Sequence, residues 1–388
     1  MRHPAYYTAI VVAAFWAACW LLFAHQSAPE VRQLFIAGHL LALGEEAAVY
    51  SADGALAPFA MLPIWAVFAS WGVQLLPFGA LKLMIVATAP VLLAGSVWIA
   101  ARPIEARDVS TTMMTAVGCV AMLFVLPGTE ALASDQSAIL AGFLTVAAIE
   151  RSQSKVPLVA GLALAGATSL SIHVALLAPL WLVAGRWRET AVFLCTCAIV
   201  LSLSVAVAGA PMHEDYLAAL EALRLSPTEG RWSLDAMLGT WAWPEAAIRP
   251  DAWQMTSAIV MAATLAFTTL AITGRERIHV LTWPVALTAL TFVTPYAGPS
   301  AYLPALAFMP HLLDRFGLRT GGLVIIGCAL PLTLAGTGPV ALAPEALNLP
   351  VVLGSLSLLA LSILFVATIR ERAQPEPRPQ VFSDGSEA

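Results

Sequence analysis

Apolar runs recur along almost the whole chain and are separated by short polar stretches. A helix needs roughly 20 apolar residues to cross the hydrocarbon core of a bilayer, which is about 30 Å thick. Runs of this length, or slightly shorter or longer, occupy 6–24, 57–77, 79–101, 109–126, 137–150, 157–186, 189–209, 254–273, 279–296, 300–314, 320–337 and 349–369. The pattern predicts an all-α, polytopic integral membrane protein with about 11 to 13 transmembrane helices.

The run 157–186 is too long for a single span and has polar residues near its middle. Thr168, Ser169, Ser171 and His173 interrupt it. Because polar groups inside a membrane are costly and tend to face a cavity, we expect two short helices that meet at a polar turn.

Composition supports a membrane class and excludes others. Hydrophobic residues make up 60% of the chain and charged residues 11%, whereas soluble domains carry about 25% charged residues. A net charge of −5 with only two lysines argues against nucleic-acid binding, which needs a clustered basic surface. The five cysteines all lie in apolar runs, so neither a disulfide framework nor a zinc site is expected.

The few charges predict an orientation, because short cytoplasmic loops collect arginine and lysine. The basic residues of one face are Arg102, Arg107, Arg151, Lys155, Arg186, Arg188, Arg275, Arg277, Arg315, Arg319, Arg370, Arg372 and Arg378. Acidic residues dominate the loops 25–56, 127–136 and 210–253, which we therefore expect outside. Residues 1–370 are predicted to form one polytopic domain, and the proline-rich residues 371–388 a disordered cytoplasmic tail.

Segment 57–77 breaks the alternation of inside and outside loops. Either this segment is re-entrant or interfacial, or the loop with Arg102 and Arg107 breaks the charge rule. In the loop before it, apolar residues recur at helical spacing between 31 and 43. This spacing predicts an amphipathic helix in the membrane interface, ended by Gly44.

Short elements in a fixed order carry a family resemblance. They are the stretch Glu30 to Gly38 with its Ala-Gly pair, Gly44-Glu45, Tyr50, Met61-Leu62-Pro63, Asp135-Gln136, Ser171-Ile172 followed by His173, and Thr294-Pro295-Tyr296. In this order they resemble the polytopic glycosyltransferases of the GT-C superfamily. The closest likeness is to glycosyltransferase family 87, whose best-known members are polyprenyl-phosphomannose-dependent mannosyltransferases.

The resemblance implies a GT-C-like fold and a hexosyltransferase for which no cofactor is expected, with a divalent metal possible but not indicated. Such an enzyme transfers a hexose, most plausibly mannose in this family, from a polyprenyl-phosphate donor to a lipid or glycan acceptor. The transfer inverts the configuration of the anomeric carbon. The reaction takes place at the outer face of the cell inner (plasma) membrane. Glu30 stands where the family has its catalytic base, and Arg32 is the basic residue available for the donor phosphate. The other implied donor- or acceptor-binding residues are Glu45, Tyr50, Gln136, His173 and Tyr296.

Each of these residues also has a structural interpretation. Glu30 and Arg32 fit solvated interface residues, Asp135 fits a helix N-cap, and His173 fits a donor to a nearby carbonyl. The tryptophans of the loop 210–253, Trp232 among them, suit sugar stacking and interfacial anchoring equally. His213, Glu214 and Asp215 could ligate a divalent metal, but three adjacent residues point in different directions on a helix, which disfavours a shared metal site.

Two other functions remain open at this stage. One is a membrane transporter or lipid-handling protein without covalent chemistry. The other is a catalytically degenerate family member, because this chain has Glu30 where the family has aspartate and departs from its Tyr-Pro-Pro and Lys-Pro elements.

Overall fold

The computed structural model describes residues 4–51, 59, 61–102, 109–225, 232, 281–294, 297–334, 354, 357–358 and 360–366. Most of these residues are helical, and none of them lies in a strand. The helices are α1 Pro4–Phe23, α2 Pro29–Ala42, α3 Pro63–Leu75, α4 Phe78–Ala101, α5 Thr111–Phe124, α6 Leu126–Ala133, α7 Gln136–Gln153, α8 Pro157–Leu170, α9 Leu177–Val183, α10 Trp187–Ala208, α11 Ala210–Leu225, α12 Thr282–Val293, α13 Leu303–Leu306 and α14 His311–Leu334.

Four of the described helices are long and apolar enough to cross a membrane: α1, α4, α10 and α14. Helices α5 and α6 are together long and apolar enough for a fifth crossing, but they meet at a bend of 74°. They would count as one crossing only if they form a broken span. The all-helical class and the presence of membrane-spanning candidates are therefore confirmed. The larger number of spans remains a prediction, since 254–273 and most of 349–369 lie outside the described residues.

Several predicted spans are shorter or more broken than expected. Helices α3 and α12 have 13 and 12 residues, which rise only about 20 Å at about 1.5 Å per residue. Residues 300–314 do not form one helix: a 3-10 turn at Pro299–Tyr302 leads into the four-residue α13, and α14 begins at His311. An apolar run marks burial in protein as well as burial in lipid, so hydropathy alone does not decide which of these runs cross the membrane.

The first helices run in alternating directions and define two ends of the bundle. The indole N–H of Trp16 on α1 donates to the Ala87 carbonyl of α4 at 2.8 Å. The hydroxyl groups of Thr8 on α1 and Thr112 on α5 are 2.9 Å apart.

Contacts at the two ends of α4 fix its direction. The ammonium of Lys82, near the start of α4, donates to the Gln26 carbonyl just after α1. Arg102, just after the end of α4, lines one groove with Thr8 and Thr111, near the starts of α1 and α5. Helices α1 and α5 therefore run antiparallel to α4. We call the end where α1 finishes and α4 begins the Glu30 end, and the opposite end the Arg102 end.

Helix α3 explains the break in the alternation of loops. It packs closely on α2, where a Cβ at Gly38 would lie 2.5 Å from the backbone carbon of Ala69. Only two residues separate Leu75, the last residue of α3, from the start of α4. Because α4 starts at the Glu30 end, α3 ends there too. Helix α3 is not among the helices long enough to span. The segment 57–77 therefore need not cross the membrane, and the loop with Arg102 can keep to the charge rule.

Two local predictions are confirmed by the helix boundaries. The run 157–186 forms α8 and α9, joined by a 3-10 turn at Ile172–Leu176. After α9 the chain returns to the end of α7, where Arg186 Nη1 donates to the Ser152 carbonyl at 3.0 Å. Helix α2 covers most of the predicted stretch 31–43, and Gly44 follows its end with a φ of 80°. A left-handed glycine just past the last turn is a common helix stop.

Candidate functional site

Glu30 lies in the first turn of α2 and reaches across to another helix. Its Oε2 atom accepts a hydrogen bond from the backbone N–H of Ser137 at 2.8 Å. Ser137 is the second residue of α7, so this N–H belongs to the first turn, where helix donors have no partner inside the helix. A carboxylate at this position also interacts favourably with the helix dipole. The contact joins residues 107 positions apart and fixes the start of α2 against the start of α7.

Asp135 caps the same helix and links it to a third segment. Its Oδ1 atom accepts from the backbone N–H of Ala138 and from the hydroxyl of Ser137, both at 3.3 Å. Its Oδ2 atom accepts from the hydroxyl of Ser300, in the 3-10 turn before α13. The predicted N-cap at Asp135 is confirmed. The start of α2, the start of α7 and the turn 299–302 therefore meet at one place.

A third carboxyl group faces this junction from α6. A side chain at Gly298 would place its Cβ 4.0 Å from Oε1 of Glu130 and equally far from the hydroxyl of Ser300. We call Glu30, Glu130 and Asp135 the carboxyl cluster. Among the residues that the structure describes, no arginine or lysine forms an ion pair with any of the three.

Burial and a neighbouring negative charge keep Glu30 partly protonated near neutral pH. Burial and, after it, the negative charge of Asp135 raise the pKa of Glu30 to about 8, although hydrogen bonds from the hydroxyl and N–H of Ser137 and from the N–H of Gln136 act in the opposite direction. A carboxyl with a pKa in this range exchanges its proton at neutral pH, as a general base or acid requires.

Gln136, an implied binding residue, lies beside Glu30, because its backbone N–H donates to the Glu30 carboxyl group. It is the first residue of α7 and only 5% exposed. Its Nε2 atom donates to the Leu132 carbonyl at 3.1 Å, while its Oε1 atom has no partner among the described residues. A buried amide oxygen without a donor is costly, and it is available to a ligand hydroxyl.

Arg32 and Glu45 do not join the cluster. Arg32 is exposed and follows Glu30 by two positions, which turns its side chain about 200° around α2. Glu45 is exposed where α2 gives way to the 3-10 turn Glu46–Ala48. Glu30 and Gln136 therefore lie together, whereas Arg32 projects from a different side of α2.

Tyr50 and His173 have partners away from Glu30. The Tyr50 hydroxyl donates to the Met61 carbonyl at 2.8 Å, and its ring packs edge-on against Tyr216 with centroids 5.7 Å apart. This buried tyrosine holds the loop after α2 against α11. His173 Nδ1 lies 3.0 Å from the Ser171 hydroxyl in the turn between α8 and α9. Tyr296 lies outside the described residues.

The structure describes the surroundings of two residues of the predicted outer loop 210–253, Trp232 and His213. Trp232 is 1% exposed and belongs to the main hydrophobic core, so neither sugar stacking nor interfacial anchoring describes it. Both ring nitrogens of His213 have partners, the Ser204 hydroxyl at 3.0 Å and the Gly209 carbonyl at 2.8 Å. Within the described part of the chain, no group of three potential ligands is placed to hold a metal ion.

Sequence reasoning did not single out Ser137, Ser300 or Glu130 as site residues. Ser137 follows an Asp-Gln pair at a helix start, a pattern that indicates capping but not the partner helix. Ser300 follows the Gly298-Pro299 turn, and nothing local to that turn indicates Asp135, 165 positions away.

Comparisons with models of known protein families and with curated protein sequences give no match. The chain is thus defined by its helices as a candidate membrane-spanning protein with a carboxyl cluster at one end. The likeness to glycosyltransferase family 87 rests on the order of its short sequence elements.

Proposed function

We propose that the protein is a membrane glycosyltransferase that uses the carboxyl cluster to transfer a hexose with inversion. The donor is a polyprenyl-phosphate-linked sugar, with mannose as the first candidate, and the acceptor is a lipid or glycan hydroxyl. The site is the Glu30 end of the bundle, which we assign to the outside of the cell membrane because the arginines gather at the other end.

The observation that carries the proposal is the position of Glu30 beside Asp135 and Gln136. The acceptor oxygen attacks the anomeric carbon and forms the new glycosidic bond, while its proton passes to the ionised Glu30. The bond from the anomeric carbon to the phosphate oxygen breaks, and its electron pair leaves with the polyprenyl phosphate. A base with a pKa near working pH is suited to this proton transfer.

Two further residues have proposed roles in binding. The unpartnered Oε1 atom of Gln136 accepts a hydrogen bond from a sugar hydroxyl, which removes the cost of burying that oxygen alone. Arg32 is exposed, so its planar guanidinium is accessible to the phosphate of a donor that approaches from the membrane.

The substitution Glu30→Gln separates a catalytic role from a structural one. Glutamine keeps an oxygen that accepts the Ser137 N–H, and it resembles the protonated glutamic acid in charge and size. We expect the fold and donor binding to persist and turnover to fall by about 10² or more, the usual contribution of a general base. The assay uses the full-length protein in lipid nanodiscs, polyprenyl-phosphate-mannose and a panel of acceptors, with product detected by mass spectrometry.

A matched control is Glu214→Gln, which removes an exposed carboxylate from α11 and should leave the rate unchanged. Equal product formation by Glu30→Gln and the unmodified protein would refute the catalytic role and leave Glu30 as a helix cap. Donor binding without product in the unmodified protein would refute the activity and identify a degenerate family member. Absence of both donor binding and product would favour the transporter or lipid-handling alternative.

A further inference from the structure

A groove lies between α1, α4 and α5 at the Arg102 end, opposite to the carboxyl cluster. Its volume is about 1120 Å³, slightly above the roughly 300–1,000 Å³ of most small-molecule pockets. Small residues of α1, Ala9 and Ala13, form one wall, and Val91 and Trp98 of α4 form the other. The size therefore suits a ligand larger than a typical metabolite.

The groove has the depth of one membrane leaflet. Along α1 its lining runs from Thr8 to Trp16, eight residues or about 12 Å. Along α4 it runs from Val91 to Arg102, eleven residues or about 16 Å. Half of a hydrocarbon core that is about 30 Å thick is about 15 Å. A lipid chain that enters at the mouth would reach the bilayer midplane near Trp16.

The walls are exposed on the outer surface of two helices that are candidate membrane spans. Val91 is 48% exposed and Trp98 37% exposed, and Ala9 and Ala13 are also exposed. Both α1 and α4 have the length and apolarity to cross a membrane. In a bilayer these surfaces face acyl chains, so the groove opens towards lipid.

Among the residues that the structure describes, those at the mouth of the groove include the cation Arg102 and several hydroxyl groups. The guanidinium of Arg102 stacks over the Trp98 ring, 4.8 Å from its centroid, and forms no ion pair with any residue that the structure describes. Ser110 and Thr111, at the start of α5, line the same opening. A planar guanidinium beside hydroxyl donors is suited to a phosphate group.

We propose that this groove binds one anionic phospholipid, with an acyl chain between α1 and α4 and its phosphate on Arg102. The lipid comes from the leaflet at the Arg102 end. The inference does not depend on the proposed glycosyl transfer, because it uses other helices and the opposite end of the bundle.

Lipid-dependent thermal stability of the purified full-length protein tests the proposal. A ligand that binds only the folded state raises the melting temperature with its concentration. We expect phosphatidylglycerol to stabilise the delipidated protein in detergent at lower concentration than phosphatidylcholine does. Arg102→Gln should raise the apparent Kd for phosphatidylglycerol about tenfold, the loss expected for charge-assisted hydrogen bonds. Ala13→Phe, which fills the groove, should abolish stabilisation by both lipids.

The chain offers a closely matched control in Arg188. Its guanidinium also stacks on a tryptophan, 5.2 Å from the Trp187 centroid, but it does not line the groove. Arg188→Gln should bind phosphatidylglycerol as the unmodified protein does. If Ala13→Phe fails to fold, Ala9→Phe fills the same wall about one turn away.

Three outcomes would overturn the proposal. An equal loss in Arg102→Gln and Arg188→Gln would show a general surface-charge effect. Unchanged binding to a folded groove-filling variant would show that lipid binds elsewhere. Displacement of phosphatidylglycerol by a lower concentration of polyprenyl phosphate would identify a polyprenyl phosphate, and not a membrane phospholipid, as the occupant.

Discussion

Charged side chains have different kinds of partners at the two ends of the helical bundle. At the Arg102 end, two arginines have polar partners close by: Arg186 donates to the Ser152 carbonyl and lies 3.8 Å from Glu189, and Arg151 pairs with Glu150 at 2.7 Å. At the Glu30 end, three carboxyl groups lie together and no described cation pairs with them.

The carboxyl cluster is kept in place by other means. A buried carboxylate without a cation costs free energy, and the group responds by taking up a proton or by accepting hydrogen bonds. Glu30 does both, through its raised pKa and the Ser137 N–H. Perturbed carboxyl groups of this kind are more frequent at functional sites than elsewhere. The contrast therefore supports the proposed reaction at the Glu30 end and a proposed role in orientation for the Arg102 end.

The largest effect expected from this contrast is a steep dependence of the transfer rate on pH. Glu30 must be ionised to act as a base, and its pKa is raised to about 8. Below that value the ionised fraction falls about tenfold per pH unit, so the rate at pH 6 should be roughly 100-fold below the plateau. Initial rates between pH 5.5 and 9.5, at saturating donor, measure the midpoint. A rate that is constant across this range would exclude Glu30 as the base.

A smaller effect is expected when the negative neighbour of Glu30 is neutralised. Asparagine caps a helix about as well as aspartate, so Asp135→Asn should leave α7 intact. The substitution removes the charge that raises the pKa of Glu30, and the midpoint of the rate profile should move to lower pH. At pH 6.5 the rate should rise several-fold relative to the unmodified protein, about what a shift of a fraction of a pH unit produces.

The control for that experiment keeps the negative charge of Asp135 and changes a residue that hydrogen-bonds to it. Ser300→Ala removes a hydroxyl that Asp135 accepts from but leaves both carboxyl groups in place. If Asp135→Asn and Ser300→Ala move the midpoint equally, and in the same direction, the shift reflects altered packing and not the charge of Asp135.

Local features of the site were predictable from sequence because they depend on neighbouring residues. The helical spacing of 31–43 and Gly44 predicted α2, and an Asp at a helix start predicted the cap at 135. The polar patch around His173 predicted the turn between α8 and α9. Each of these needs only the dihedral preferences and periodicity of a short stretch.

The contacts between segments were not predictable in the same way. The bond from Glu30 to Ser137 joins positions 107 residues apart, and no local pattern indicates which helix start a free carboxylate will cap. Apolar composition also failed to distinguish α3, a 13-residue helix that packs on α2, from a helix of spanning length. The burial of Trp232 was not predictable either, because a tryptophan suits the core, the membrane interface and a sugar-binding site equally well until its neighbours are known.

The smallest effect in the comparison comes from loosening the Arg102 end. Arg186→Gln removes the hydrogen bond to the Ser152 carbonyl, which joins the end of α9 to the end of α7. We expect a loss of about 1 kcal/mol in the free energy of unfolding, the usual net contribution of one hydrogen bond. The exposed Arg188→Gln should change it by less than about 0.5 kcal/mol. Neither variant should move the midpoint of the rate profile, because residues far apart without shared partners act independently. A midpoint shift in Arg186→Gln as large as that in Asp135→Asn would mean that the two ends are coupled, and the proposed division between an orienting end and a reactive end would fail.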